Sequence, residues 1–243
     1  MSKLVLLLPL LTTAACATAS KSDADAPPRA DARIDGRLVD APQNTDAPIS
    51  VDAAPDAAPA ERVLKQNTSD TITDNNSQAC GNAAGTAESS YYRAFKLSDF
   101  GITTAFNVSK VSVGIEAATA GIGTAQAAQI KIYTYSGALT GATLTTAQLT
   151  LVNAVNVMID NTATPVVKDF PITASIPAGA TVVAELASPD GRAAGNFLYI
   201  GSNQGGETSP AYIRDPACGD TLPTKWSSAG FTTMHVVMNV TGR

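Results

Sequence analysis

From residue 90 onward the chain breaks into short apolar runs, each closed by Gly, Pro, Asn, Asp or Thr. Within a run the period is close to two. Val111, Val113 and Ile115 alternate with Ser112, Gly114 and Glu116, and Met234, Val236, Met238 and Val240 alternate with His235, Val237 and Asn239. Successive side chains of an extended strand point to opposite faces, so this pattern predicts strands with one buried face. Strands are expected over residues 90–97, 107–117, 129–136, 149–159, 166–176, 181–187, 197–201, 211–214 and 234–241, with a further one over 62–66. Pro177-Ala178-Gly179 and Pro189-Asp190-Gly191 supply turns between runs, and Asp99-Phe100-Gly101 reads as a strand-to-strand corner. No ten-residue stretch carries helical spacing with caps. Many short strands at this spacing predict an all-β fold, an antiparallel β-sandwich of jelly-roll type, over residues 61–243.

The first sixty residues follow other rules. Lys3 precedes the apolar run Leu4-Val5-Leu6-Leu7-Leu8-Pro9-Leu10-Leu11, which is too short to span a bilayer and reads as the apolar part of a signal peptide. Thr13-Ala14-Ala15 before Cys16 resembles a bacterial lipobox, with Thr13 where that family usually has Leu. The resemblance implies cleavage before Cys16, lipidation of its thiol and membrane attachment, with Ala17 favouring the outer membrane. Cleavage at Ala17-Thr18-Ala19 is the alternative, and it would yield a soluble secreted or periplasmic protein. After a leader region of residues 1–16, residues 17–60 read as a disordered tether. Asp recurs at 23, 25, 31, 35, 40, 46, 52 and 56 among Ala and Pro, and no aromatic residue is present from 21 to 60. So few large apolar side chains cannot offset the entropy of ordering, and Pro with like charges keeps such a chain extended.

Charge removes one class of partner. The chain carries a formal net charge of −5 with no basic stripe, which argues against nucleic acid. Cys80 and Cys218 remain after the leader; in an exported chain they are expected to form a disulfide. The only histidine is His235, and there is no GxSxG sequence, so a Ser–His–Asp triad has little to draw on. Glu116, Glu185, Asp190, Glu207 and Asp215 could supply a carboxylate pair for glycoside hydrolysis, but no spacing selects two of them. Glu116 and Glu185 lie in apolar runs, where they could face solvent from the outer side of a sheet. No cofactor motif is found. Asn67, Asp70 and Asp74 form an oxygen-rich stretch and are the candidate ligands for a structural calcium ion. Tyr91, Tyr212 and Trp226 are the candidate aromatic platform for a sugar; Tyr91 and its neighbour Tyr92 must face opposite ways on a strand.

Tyr92-Arg93-Ala94-Phe95-Lys96-Leu97, Val111-Ser112-Val113-Gly114-Ile115-Glu116, Ile200-Gly201-Ser202-Asn203 and the final run Gly230–Val240 together resemble a module of secreted and surface bacterial proteins. That module has no established activity, so the resemblance implies a β-sandwich and transfers no functional residue. The expected function is a non-catalytic surface module of the cell envelope that serves adhesion or binds a ligand, a glycan being one candidate and an extracellular protein another. A structural envelope lipoprotein is the second reading, and a hydrolase of extracellular polymer the third.

Overall fold

A computed structural model describes residues 60–243. The leader, Cys16 and the tether up to residue 59 lie outside the described residues.

The described chain forms strands β1 (Arg62–Leu64), β2 (Gly81–Asn82), β3 (Gly85–Thr86), β4 (Ser89–Lys96), β5 (Phe106–Thr119), β6 (Ala125–Tyr135), β7 (Leu149–Asp160) and β8 (Val166–Ile176). It continues with β9 (Thr181–Ser188), β10 (Phe197–Ile200), β11 (Ser202–Asn203), β12 (Ala211–Asp215), β13 (Asp220–Lys225), β14 (His235–Val236) and β15 (Met238–Gly242). Every expected run is a strand, with ends displaced by a few residues; the last is divided at Val237. Strands β2, β3 and β11 are two residues long and leave no periodic signal. In β13, Pro223 argues against a strand, yet the position is tolerated because β13 pairs only with β12 on one edge. The corner at Asp99-Phe100-Gly101 is a 3-10 turn, Leu97–Phe100, ended by Gly101 at φ 66°.

Two large antiparallel sheets result, with the two-stranded pairs β2–β3 and β11–β14 beside them. One has six strands in the order β13-β12-β4-β9-β6-β7. In the other, the long strand β5 holds β15 and β10 on one edge and β8 on the opposite edge, with β1 beyond β15. Consecutive strands mostly cross from one sheet to the other, which is the jelly-roll pattern. The inner faces meet in one apolar core that includes Phe95, Phe106, Val111, Val113, Ile115, Ile130, Ile132, Leu186, Met238 and Val240. The incomplete alternation along β5 has a local cause. A bulge between Val108 and Lys110 shifts the inward set from Phe106 and Val108 to Val111, Val113 and Ile115.

The outer faces are covered unequally. The segment 65–79 lies over the five-stranded sheet, where Ile72 packs onto Gly114 and Gly201. A Cβ on Gly201 would come within 2.7 Å of the Ile72 side chain, so the glycine permits the close approach. On the six-stranded sheet the loop 136–148 covers one end. It drives Leu144 into a second apolar cluster with Tyr92, Ala94, Tyr135, Val183 and Tyr212. The other end of that face is left open. The expected disulfide is present: Cys80 is bonded to Cys218, which ties the loop before β2 to the 3-10 turn after β12.

Candidate functional site

The open end of the six-stranded sheet is a groove of about 630 Å³. Its floor follows from strand register. One cross-strand row runs Asn156, Gln129, Ala187, Ser90, Arg214 over β7, β6, β9, β4 and β12. The next runs Ala154, Lys131, Glu185, Tyr92, Tyr212 over the same strands. The centre of the first row is made of small side chains, Ala187 and Ser90, flanked by larger ones. That contrast hollows the face.

Glu185 is the deepest polar group, 2% exposed. The Tyr133 hydroxyl donates to its Oε2 at 2.6 Å, and Lys131 Nζ approaches Oε1 at 3.4 Å. Burial, reinforced by this carboxylate, pushes the Tyr133 and Tyr92 phenols well above their usual range, so both stay protonated donors. At the rim, Arg214 Nη1 donates to Glu88 Oε1 at 2.6 Å, which raises the guanidinium further. Arg192 pairs with Asp190 and holds that carboxyl down at about 2. Gln129 Nε2 donates to Asn156 Oδ1 at 2.8 Å, leaving the other amide atoms of both side chains for a ligand. Each groove carboxylate therefore faces a cation, and the remaining lining mixes hydroxyl, amide and phenol groups with the small apolar side chains Ala127, Ala187 and Pro189.

The candidate aromatic platform is corrected. Tyr91, Tyr212 and Trp226 are all buried. Tyr91 faces the core, where its ring stacks on Trp226 at 6.2 Å between centroids, and Trp226 also packs on Phe231 at 5.4 Å. Tyr212 shares the outer face with Tyr92 but lies beneath the loop 136–148, and burial pushes its phenol up to about 12. Of the adjacent pair, Tyr92 is the one that reaches the groove. A lone Trp in a polar stretch is filling the sandwich, since no polar surface offers it comparable apolar contact.

The candidate calcium ligands do not converge. Asn67 is buried and donates from Nδ2 to the His235 carbonyl at 2.9 Å. Asp70 is held by Lys65 Nζ at 2.7 Å and Asn239 Nδ2 at 3.0 Å, while Asp74 is exposed. Among the described residues no three His, Cys, Asp or Glu side chains gather as metal ligands would. The outer-face carboxylates are also less exposed than expected. Glu185 is sunk in the groove, and Glu116 lies under the turn at 74–76, accepting from the Asn75 and Asn76 N–H groups at 3.0 and 3.2 Å.

His235 belongs to a separate interior cluster. Arg93 points inward from β4 between Tyr91 and Phe95, and its Nη1 donates to Glu207 Oε2 at 2.8 Å and to the Val236 carbonyl at 3.0 Å. Burial pushes the Arg93 guanidinium down to about 10. The other Glu207 oxygen lies 3.5 Å from His235 Nδ1. Asp215 is buried beside Tyr91, and desolvation raises its carboxyl to about 6.

Sequence reasoning missed Tyr92, Gln129, Lys131, Tyr133 and Asn156 as groove residues. The signal available was polar side chains two apart on β6, at 129, 131 and 133, which alternation places on one outer face.

No family model matches the chain, and no curated protein matches it. Among solved structures it is similar to the cysteine protease and lectin-like domains of Cwp84, a surface layer associated protein of Clostridium difficile. The TM-score is 0.41 at 10% identity, over 65% of this chain and 32% of that one. The match thus spans about a third of that structure's length. Among the described residues no helix is long and apolar enough to cross a membrane.

Proposed function

We propose that the domain is a non-catalytic ligand-binding module of the bacterial envelope and that its groove holds a neutral, hydroxyl-rich ligand of the saccharide class. The observation that carries this reading is the groove floor: a buried carboxylate, Glu185, already paired with Lys131 and Tyr133 and surrounded by hydroxyl and amide groups. Pre-paired charges offer fixed donors and acceptors without presenting net charge, which suits alternating sugar hydroxyls. The flat rings of Tyr92 and Tyr133 add apolar surface beside them. Glu88 and Asp190 are engaged by Arg214 and Arg192, so neither is poised as a general acid, and His235 lines another part of the molecule. In the same reading Cys16 carries a lipid anchor in the outer membrane and residues 17–60 span the distance from the bilayer.

The test is calorimetric titration of the purified protein with neutral, acidic and amino oligosaccharides. A neutral oligosaccharide is expected to bind, and Gln129→Ala, at an exposed rim position, to weaken it about tenfold, roughly 1.4 kcal/mol. Binding that survives both Gln129→Ala and Lys131→Ala, or the absence of binding to every neutral oligosaccharide, would sink the proposal.

A further inference from the structure

The floor of the groove changes character along β9. The outward side chains of this strand are Val183, Glu185 and Ala187, and Pro189 follows them. Val183 is sealed in the second apolar cluster. The uncovered floor therefore runs from the Glu185 carboxylate to Ala187 and on to Pro189, with Ala127 beside them on β6. Register sets the walls. Ala187 lies opposite Gln129 on β6 and Ser90 on β4, while Glu185 lies opposite Lys131 and Tyr92. The Ala187 side chain ends at Cβ. It leaves a small apolar hollow between an amide and a hydroxyl, with the carboxylate at one end.

The polar groups around this hollow have capacity left. An ionised carboxylate offers about four acceptor sites. Tyr133 and Lys131 approach one oxygen of Glu185 each, at 2.6 and 3.4 Å. With Lys131 alongside, the remaining sites suit a neutral N–H better than a ligand ammonium group, which that lysine would repel. Gln129 Nε2 gives one N–H to Asn156 and keeps the other. The hollow thus fits one ligand group that has a methyl-sized apolar end, a donor towards Glu185 and an acceptor towards Gln129. The distances agree. Residues two apart on a strand are separated by about 6.6 Å. In an acetamido group the methyl carbon and the nitrogen are about 2.4 Å apart, and an N–H···O bond adds about 2.9 Å. A methyl seated on Ala187 therefore leaves the amide N–H within reach of the Glu185 carboxylate. A bare sugar hydroxyl leaves the apolar floor unfilled, and the methyl of a 6-deoxy sugar has no N–H beside it.

We propose that the groove selects saccharides that carry an acetamido group. The methyl packs on Ala187, Ala127 and Pro189, the N–H donates to Glu185, and the carbonyl accepts from Gln129 Nε2. The alanine and the carboxylate, two apart on β9, then act together as the specificity element. This assignment rests on the groove being a saccharide site and narrows the ligand to N-acylated amino sugars.

Calorimetric titration with matched trisaccharides tests it. The members of each pair, in gluco or galacto configuration, differ only in acetamido or hydroxyl at carbon 2, and 6-deoxy trisaccharides form a further set. At least one acetamido member is expected to bind about tenfold more tightly than its hydroxyl partner, from one buried methyl and one hydrogen bond to a charged acceptor. Ala187→Val fills the hollow with a residue that suits a strand and is expected to bring that ratio close to one. Gln129→Glu, at an exposed position, removes the donor to the carbonyl and is expected to lower the ratio as well. Equal binding within every pair would overturn the selectivity and leave the saccharide reading standing. A ratio unchanged in both variants, or a 6-deoxy sugar that gains as much as the acetamido one, would overturn it too. No binding by any of these sugars would overturn both.

Discussion

At the scale of single residues, the buried ionisable groups set the largest local energies. Asp215 is 3% exposed, and burial raises its carboxyl to about 6, above the ordinary value in an unfolded chain. A raised pKa means that the charged form is disfavoured in the folded state. Its contribution to stability is fully present below about pH 4 and is lost as pH rises through about 6. Asp215→Asn is therefore expected to stabilise the protein at pH 7.5 by on the order of 2 kcal/mol and to have little effect at pH 4, read from urea unfolding at the two pH values. Arg93 behaves in the opposite sense, because its charge is kept. Its guanidinium depends on the Glu207 carboxylate, and its Nε and Nη2 are buried without other partners. Removing the carboxylate while leaving the arginine strands a charge in the core. Glu207→Gln is expected to cost about 3–5 kcal/mol, with much of the loss recovered in R93M/E207Q. Equal stability of the single and double variants would show that the pair is not coupled.

At the scale of elements, coverage decides which surfaces remain available. The loop 136–148 turns half of an outer sheet face into a second core, and the segment 65–79 lies over the opposite sheet, where Ile72 meets Gly114 and Gly201. The groove is the part that no loop covers. The disulfide acts at this scale as well. Cys80 and Cys218 are 138 residues apart in sequence, and cross-linking them restricts the unfolded chain by about 4–5 kcal/mol in the chain-entropy model. Cys80 also accepts the Ala87 N–H through its carbonyl at 2.7 Å, next to the hairpin that covers β10. Replacing both cysteines with serine is expected to lower stability by that order and to speed amide exchange at Thr86 and Ala87 before it does so in β5. Uniform loss of protection across the sandwich would instead assign the bond a purely global effect.

At the scale of the whole molecule, the charges among the described residues are few and mostly paired. The groove combines Glu88 with Arg214, Glu185 with Lys131, and Asp190 with Arg192. A ligand held by such a surface gains little from long-range attraction. Affinity for a neutral saccharide is expected to change by less than about twofold between low and high salt, because no net charge is screened. A steep fall with salt, measured in the same titrations, would point to a charged ligand.

Periodicity along single strands gave Val111, Val113 and Ile115 as core and predicted nine of the longer strands, because alternation is a local consequence of extended backbone. The expectation of export and the cysteine count pointed to the Cys80–Cys218 bond. Alternation also separated Tyr91 from Tyr92, but it could not say which of the two faced inward. That depends on where the second sheet lies, and only its packing put Tyr91 on Trp226 and left Tyr92 to the groove. The groove itself was not legible. Lys131, Glu185 and Tyr92 come from three strands far apart in the chain, and their alignment is a matter of register between strands. Alternation, turn positions and the pairing of the cysteines are thus written locally in the chain. Tertiary structure alone decided which faces are covered and which side chains stand in one row, because those depend on contacts between segments that carry no local signal of each other.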